Sequence, residues 1–371
     1  MKAEFKHTSI DETDLDSSVK AHPEWFTGAY TSDPRPGKVT YHGPHEVGVH
    51  TVHPIQGDDP SRDGVIIVPR AFAAMYTGHD NEDAPYDFEA KRDAVIANVL
   101  GKTVVGVETP GYGMYTPGKP DMSLLWNAGR GNLVPHARIQ LEAIIAALKE
   151  EGIYDPRHER ELTLSFIGYS MGNIAVADMF GHLDELIPGA RVDRVTAVEP
   201  VNDQKFKLFR HNGLVAAIGR ETNDENTNRY FAQNARHDLA VAYDREEGAG
   251  FATRHPDRTR RQDEVQKRAQ LTNGAIGAGM RRAWSPRMKP ELARRGNVDV
   301  DLIRGDGSEV SRPEPALKTA LEFAEVTPRT TVTTLHAREG EPDHHHPFWH
   351  SLPMVAVLLD ELEARYKESR H

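Results

Sequence analysis

The sequence predicts an α/β fold with a mostly parallel central sheet, and three observations carry that expectation. Residues 64–68, 103–107 and 195–198 are short continuous runs rich in Val and Ile, the pattern of strands covered on both faces. Between the second and third of these runs, Leu141, Ile144, Ile145 and Leu148 recur at i, i+3, i+4 and i+7, the spacing of a helix with one buried stripe. An apolar run over 162–167 ends in Gly168-Tyr169-Ser170-Met171-Gly172 and passes directly into the helix-compatible Asn173-Ile174-Ala175-Val176. A strand turning into a helix so abruptly is the unit from which right-handed crossovers of a parallel sheet are built.

Taken in order, residues 1–36 carry frequent Pro, Asp and Ser with no apolar period and read as a loosely structured arm. Residues 40–42 and 47–53 alternate and read as antiparallel strands. The same alternation puts His50 and His53 on opposite faces, which argues against a metal pair there. The buried run 64–68 follows and leads into Pro69-Arg70-Ala71-Phe72, and the run at 103–107 leads into Glu108-Thr109-Pro110-Gly111-Tyr112-Gly113. After the helix around 141–148 and the strand before Ser170 comes a strand over 191–198, closed by Glu199 and Asp203. The sheet resumes at 298–305, a helix is expected over 316–324, and 330–336 form the last strand. A loop with His344, His345 and His346 leads to a closing helix in which Val355, Leu358, Leu359, Leu362 and Tyr366 keep helical spacing.

In the Gly-x-Ser-x-Gly stretch, strand and helix backbones come so close that a Cβ at residue 168 or 172 would clash. The turn lifts Ser170 clear of the sheet, and the N–H of Met171 at the helix start points where an oxyanion would form.

These residues resemble the α/β-hydrolase superfamily. The elbow around Ser170 carries the resemblance, together with Glu108-Thr109-Pro110-Gly111-Tyr112-Gly113, which is similar to the family's acidic-x-Pro-Gly-x-Gly turn. It spans about residues 47 to 366 and implies an esterase- or lipase-like serine hydrolase with a helical lid inserted after the strand ending near Glu199. The corresponding division is an arm over 1–36, a core over 37–203 and 297–371, and a lid over 204–296. In the family the loop after the first buried strand donates the second oxyanion N–H, by position from Ala71 or Phe72. Pro69-Arg70 departs from the family's His-Gly there, which leaves Arg70 available to an anionic group. Glu108 is read as an anchor of its loop.

The resemblance also implies partners for the serine. The base stands about seven residues before the Pro that opens the closing helix, which gives His346 from Pro353, with His345 and His344 as alternatives. The acid ordinarily stands three residues after the Gly that ends the penultimate strand, and from Gly305 that position is Ser308. Some relatives supply the carboxylate one strand earlier, where Glu199 stands; Asp203, Glu309 and Asp306 are the alternatives. A serine nucleophile implies acyl chemistry on a small-molecule ester, thioester or activated amide, whereas dehalogenases and epoxide hydrolases of this fold need Asp. A lyase or acyltransferase on the same triad, or a non-catalytic binding member of the fold, are the other readings.

Composition narrows the setting. The 371 residues include no cysteine, which excludes disulfides and thiol catalysis and favours a cytoplasmic location. No run approaches the roughly 18 apolar residues of a spanning helix, so no membrane span is expected. A net charge of −11 disfavours nucleic acid. Residues 204–296 nonetheless hold 19 Lys and Arg against 11 Asp and Glu, with 26 against 45 elsewhere, which would suit an anionic substrate. Adjacent histidines rarely converge on one ion, so no metal is expected at 344–346, and no cofactor is expected at all.

Overall fold

The computed structural model describes residues 6–11, 21–29, 37–55, 64–70, 88–111, 121–156, 162–201, 275, 284–308, 310–327, 329–336 and 352–368. The strands are β1 (Lys6–Asp11), β2 (Lys38–His42), β3 (Val47–Val52), β4 (Gly64–Pro69), β5 (Thr103–Val107), β6 (Thr163–Tyr169), β7 (Arg191–Val198), β8 (Asp299–Gly305) and β9 (Thr330–His336). Between them run the helices α1 (Phe88–Leu100), α2 (Met122–Gly129), α3 (Val134–Glu150), α4 (Gly172–Phe180), α5 (Leu183–Leu186), α6 (Ser285–Arg295), α7 (Pro313–Ala324) and α8 (Leu352–Glu368).

One nine-stranded sheet has the order β1-β9-β8-β7-β6-β4-β5-β3-β2. Every neighbouring pair is parallel except β2 with β3 and β3 with β5, as the alternating segment at 47–53 implied. From β2 to β9 this is the strand order of the α/β-hydrolase fold. The inversion of β4 and β5 makes β4 a central strand, flanked on one side by β5 and on the other by β6, whose exit carries Ser170.

The two-sided burial of these strands follows from their composition. In β4, Val65 and Ile67 face one layer, which also holds Leu141, Ile144 and Leu148 of α3, Ile174 and Phe180 of α4, and Phe323 of α7. Ile66 and Val68 face the other, with Ala94, Ile96 and Ala97 of α1 and Val355, Leu358, Leu359 and Leu362 of α8. A strand buried on both faces has no polar alternation to show, and so reads as a continuous aliphatic run.

The structure departs from the sequence reading in two places. The arm is not wholly irregular: β1 pairs in parallel with β9, and Trp25 and Phe26 of the short turn Pro23–Phe26 pack with Val95 and Leu352. With one aliphatic residue in six, β1 has no apolar period to announce it; it is a strand because its backbone adds to the edge of the sheet. The second departure is α6, expected within the lid. Its Met288 and Leu292, and Trp284 just before it, are fully buried in the larger core layer. Arg287 donates to Asp178 of α4 at 2.6 Å and to the Gly131 carbonyl at 2.5 Å. Residues 284–295 thus belong to the body, while 202–274 and 276–283, and with them the proposed lid, lie outside the described residues.

A buried histidine on α3 makes the body sensitive to acid. His136 is 4% exposed, and its Nδ1 has no hydrogen-bond partner among the described residues. Burial, helped by the nearby His45 and opposed by Asp121, pushes it down to about 4. The unfolded chain, with its imidazole near 6.5, therefore binds the proton more readily. Stability from a neutral His136 is complete above about pH 6.5 and is lost as pH falls towards 4, by roughly 3 kcal/mol in total. We expect His136→Leu to gain on wild type by a comparable amount between pH 7 and pH 4.5 in urea unfolding; equal losses in both proteins would contradict this.

Candidate active site

Ser170 is the first of the two residues, Ser170 and Met171, between β6 and α4, and its φ is +49°, a left-handed conformation that a residue with a side chain adopts only when its surroundings impose it. The imposing contacts are specific. The Ser170 N–H donates to the Val198 carbonyl at 2.9 Å, and its own carbonyl accepts from the Asn173 backbone at 3.2 Å and from Asn173 Nδ2 at 3.0 Å. Asn173 Nδ2 also reaches the Val198 carbonyl at 3.1 Å, so one amide ties the first turn of α4 to the end of β7. A Cβ at Gly168 would lie 2.5 Å from Asn173 Oδ1, and one at Gly172 would lie 2.6 Å from the Pro69 carbonyl. Both glycines are therefore required by the close approach of backbones. Met171 stands at the start of α4 with φ −61° and ψ −28°, where N–H groups have no acceptor within the helix.

Glu199 repeats the geometry one strand away. It follows β7, whose Val198 pairs with Tyr169 of β6, so Ser170 and Glu199 are the first residues beyond two adjacent parallel strands. Its φ is +46°, its N–H donates to the Ile303 carbonyl at 2.8 Å, and it is fully buried. The carboxylate accepts from the Gly305 N–H through Oε1 and from Ser308 Oγ, 2.5 Å from Oε2. Ser308 Oγ in turn accepts from the Ser311 N–H at 3.0 Å, which orients the hydroxyl. Ser308 stands three residues after the Gly that ends β8, so the bonds from Gly305 and Ser308 carry the Glu199 carboxylate from the end of β7 across to the end of β8.

The other candidates divide. Asp306 is half exposed and lies 3.4 Å from Arg304 and 3.3 Å from His336. Glu108 is buried against β3: Oε2 accepts from the Gly48 N–H at 2.9 Å, and its carbonyl accepts from Gln140 at 3.1 Å. Arg70 is turned inward: it is 1% exposed, its guanidinium donates to Asp93, and Nη1 lies 3.0 Å from Glu89 Oε2, so among the described residues its anions are those of α1. His344, His345, His346, Asp203, Glu309, Ala71 and Phe72 lie outside the described residues.

Sequence reasoning did not single out Asn173, and it named Ser308 only as the residue standing where an acid is expected. An amide three residues after the elbow serine is the signal that could have marked Asn173.

No family model matches this chain, and no curated protein matches it. Among solved structures it is similar to a bromoperoxidase from Bacillus anthracis, at 12% identity over 89% of this chain and 99% of the other, with a TM-score of 0.45. It is also similar to an esterase from Exiguobacterium antarcticum, at 14% identity over 89% and 99% of the two chains, TM-score 0.42. A membrane phospholipase A is similar at 14% identity over 97% and 92%, TM-score 0.47. The fold assignment rests on the sheet order and not on these likenesses.

The close approach at Gly172 is testable on its own. Gly172→Ala must push back the Pro69 carbonyl, an overpacking expected to cost about 1–3 kcal/mol. Gly129→Ala, whose added methyl would meet nothing within 4 Å, is the matched control and is expected to be near neutral. Urea unfolding of both checks the contrast, and equal midpoints would contradict it.

Proposed function

We propose that this chain, which has the α/β-hydrolase fold, is a serine hydrolase that cleaves a carboxylic ester, thioester or activated amide through an acyl-enzyme on Ser170. The observation that carries the reading is the left-handed Ser170 between β6 and α4, one strand from a buried carboxylate that follows β7. A serine hydroxyl is a poor nucleophile at neutral pH, and a turn of this kind serves to present it to a base on a neighbouring loop. In this reading His346, or its neighbours His345 or His344, takes the proton from Ser170 Oγ as that oxygen bonds to the acyl carbon. Glu199 holds the imidazole in the tautomer that can accept the proton and balances the imidazolium that forms.

The developing oxyanion meets the Met171 N–H and an N–H from the residues after Arg70, Ala71 or Phe72. Collapse of the tetrahedral intermediate expels the alcohol, thiol or amine, which leaves with the proton from the imidazolium. Water, activated by the same imidazole, then releases the acid and restores Ser170. The two donors on the Glu199 carboxylate support the assignment of the acid, since they fix the orientation on which the imidazole depends.

Two substitutions test the assignment. Ser170→Ala removes one hydroxyl and no core volume, and we expect it to lower kcat by several powers of ten while thermal unfolding is unchanged. Glu199→Gln should cost on the order of 10⁴ in kcat, with Asp306→Asn near wild type. Full activity of Ser170→Ala would overturn the reading, and a silent Glu199→Gln would move the acid elsewhere.

A further inference from the structure

Arg70 is a buried cation at the exit of β4, and every hydrogen-bonding group on its main chain is engaged. Its N–H donates to the Val107 carbonyl at 2.9 Å, and its carbonyl accepts from Thr109 Oγ1 at 3.2 Å. Its side chain turns back onto α1, where Nη1 lies 3.0 Å from Glu89 Oε2 and Nη2 donates to Asp93 Oδ2 and, at 3.3 Å, to the Glu89 carbonyl. Asp93 is completely buried and is held from its other side by His50 of β3, whose Nδ1 lies 2.8 Å from the same Oδ2. Burial pushes the Asp93 carboxyl up, but Arg70, His50 and Arg92 together bring it below the usual carboxylate range. An ionised carboxylate can only accept, so Nδ1 of His50 carries the proton.

Buried ion pairs of this kind are a weak source of stability, because the cost of taking the charges out of water offsets their attraction. What a planar guanidinium with several fixed acceptors supplies is direction. The direction matters because the residue before it, Pro69, presents its carbonyl to Gly172 at the start of α4, so the exit of β4 and the helix that follows Ser170 are in contact through bare backbone.

We propose that Arg70 is a positioning residue for acyl transfer: anchored by Asp93 and Glu89 from α1 and by Thr109 from the β5 exit, it fixes the exit of β4 against α4, and so sets the oxyanion geometry at Ser170. The inference rests on the reading of Ser170 as nucleophile. A 1 Å misplacement in a catalytic arrangement can cost about 10²-fold, and removal of a whole oxyanion donor about 10²–10³-fold. Arg70→Lys, which keeps the charge and loses the fork, is therefore expected to lower kcat about 10- to 100-fold with KM little changed. Thr109→Val, a nearly isosteric loss of one hydrogen bond to the Arg70 carbonyl, is expected to lower it several-fold.

The test is titration of wild type and both variants with a fluorophosphonate, following the rate per site and the fraction of sites finally labelled, alongside kcat and KM for one chromogenic ester. Slower labelling per titrated site, with a fall in kcat and not in KM, is the expected result. A role confined to fastening α1 to the sheet would instead reduce the fraction of sites labelled and leave each remaining site at the wild-type rate. That outcome in both variants overturns the inference, as does wild-type kinetics in both; if Arg70→Lys fails to fold, Thr109→Val decides. A wild type in which Ser170 is not labelled overturns the reading of the nucleophile, and the inference with it.

Discussion

The arrangement depends on one close approach, in which β6, α4 and the exit of β4 meet with no Cβ between them. Gly168 allows Asn173 to pack against the end of β6, and Gly172 allows α4 to start against the Pro69 carbonyl. With both backbones this close, the turn is left to Ser170 and Met171, and Ser170 takes the left-handed φ. A non-glycine residue there is strained by about 1–2 kcal/mol. The bonds from Ser170 to Val198 and from Asn173 to both Ser170 and Val198 offset that strain.

The same bonds extend the constraint sideways. Because Ser170 and Asn173 both donate to the Val198 carbonyl, the end of β7 is registered to the elbow, and Glu199 is the next residue. Glu199 is then carried towards β8 by the Gly305 N–H and the Ser308 hydroxyl. Ser308 thus has a definite physical role, since its hydroxyl donates to the Glu199 carboxylate. A glutamate on β7 has one more methylene than an aspartate, and that reach lets it span the gap between adjacent strands, about 4.8 Å.

Much of this was legible in the sequence, for reasons that the structure makes concrete. β4, β5, β6, β7 and α3 show their burial as aliphatic runs or helical stripes because their partners are apolar. Gly168 and Gly172 were legible because only glycine tolerates their contacts. The helix α1 was not, since Lys91, Arg92 and Asp93 are all buried and a charged cluster interrupts the apolar period that would reveal the helix. For the same reason Arg70 reads in sequence as a cation awaiting an anion from outside, while in the fold its anions come from a helix that the hydropathy pattern hides. β1 was illegible because edge pairing makes no demand on hydrophobicity, and α6 because its buried Met288 and Leu292 lie in a strongly basic stretch.

In the proposed function, Oγ of the strained Ser170 between β6 and α4 is the atom that bonds to the acyl group. Mixing the protein with excess activated acyl ester, quenching in acid during the first turnovers and mapping the peptides by mass would test it directly. The account predicts one acyl group per chain, on the peptide that contains Ser170, with its amount falling as the ester is consumed. Hydrolysis that proceeds with no acyl group on that peptide, or with the acyl group on another residue, would contradict it.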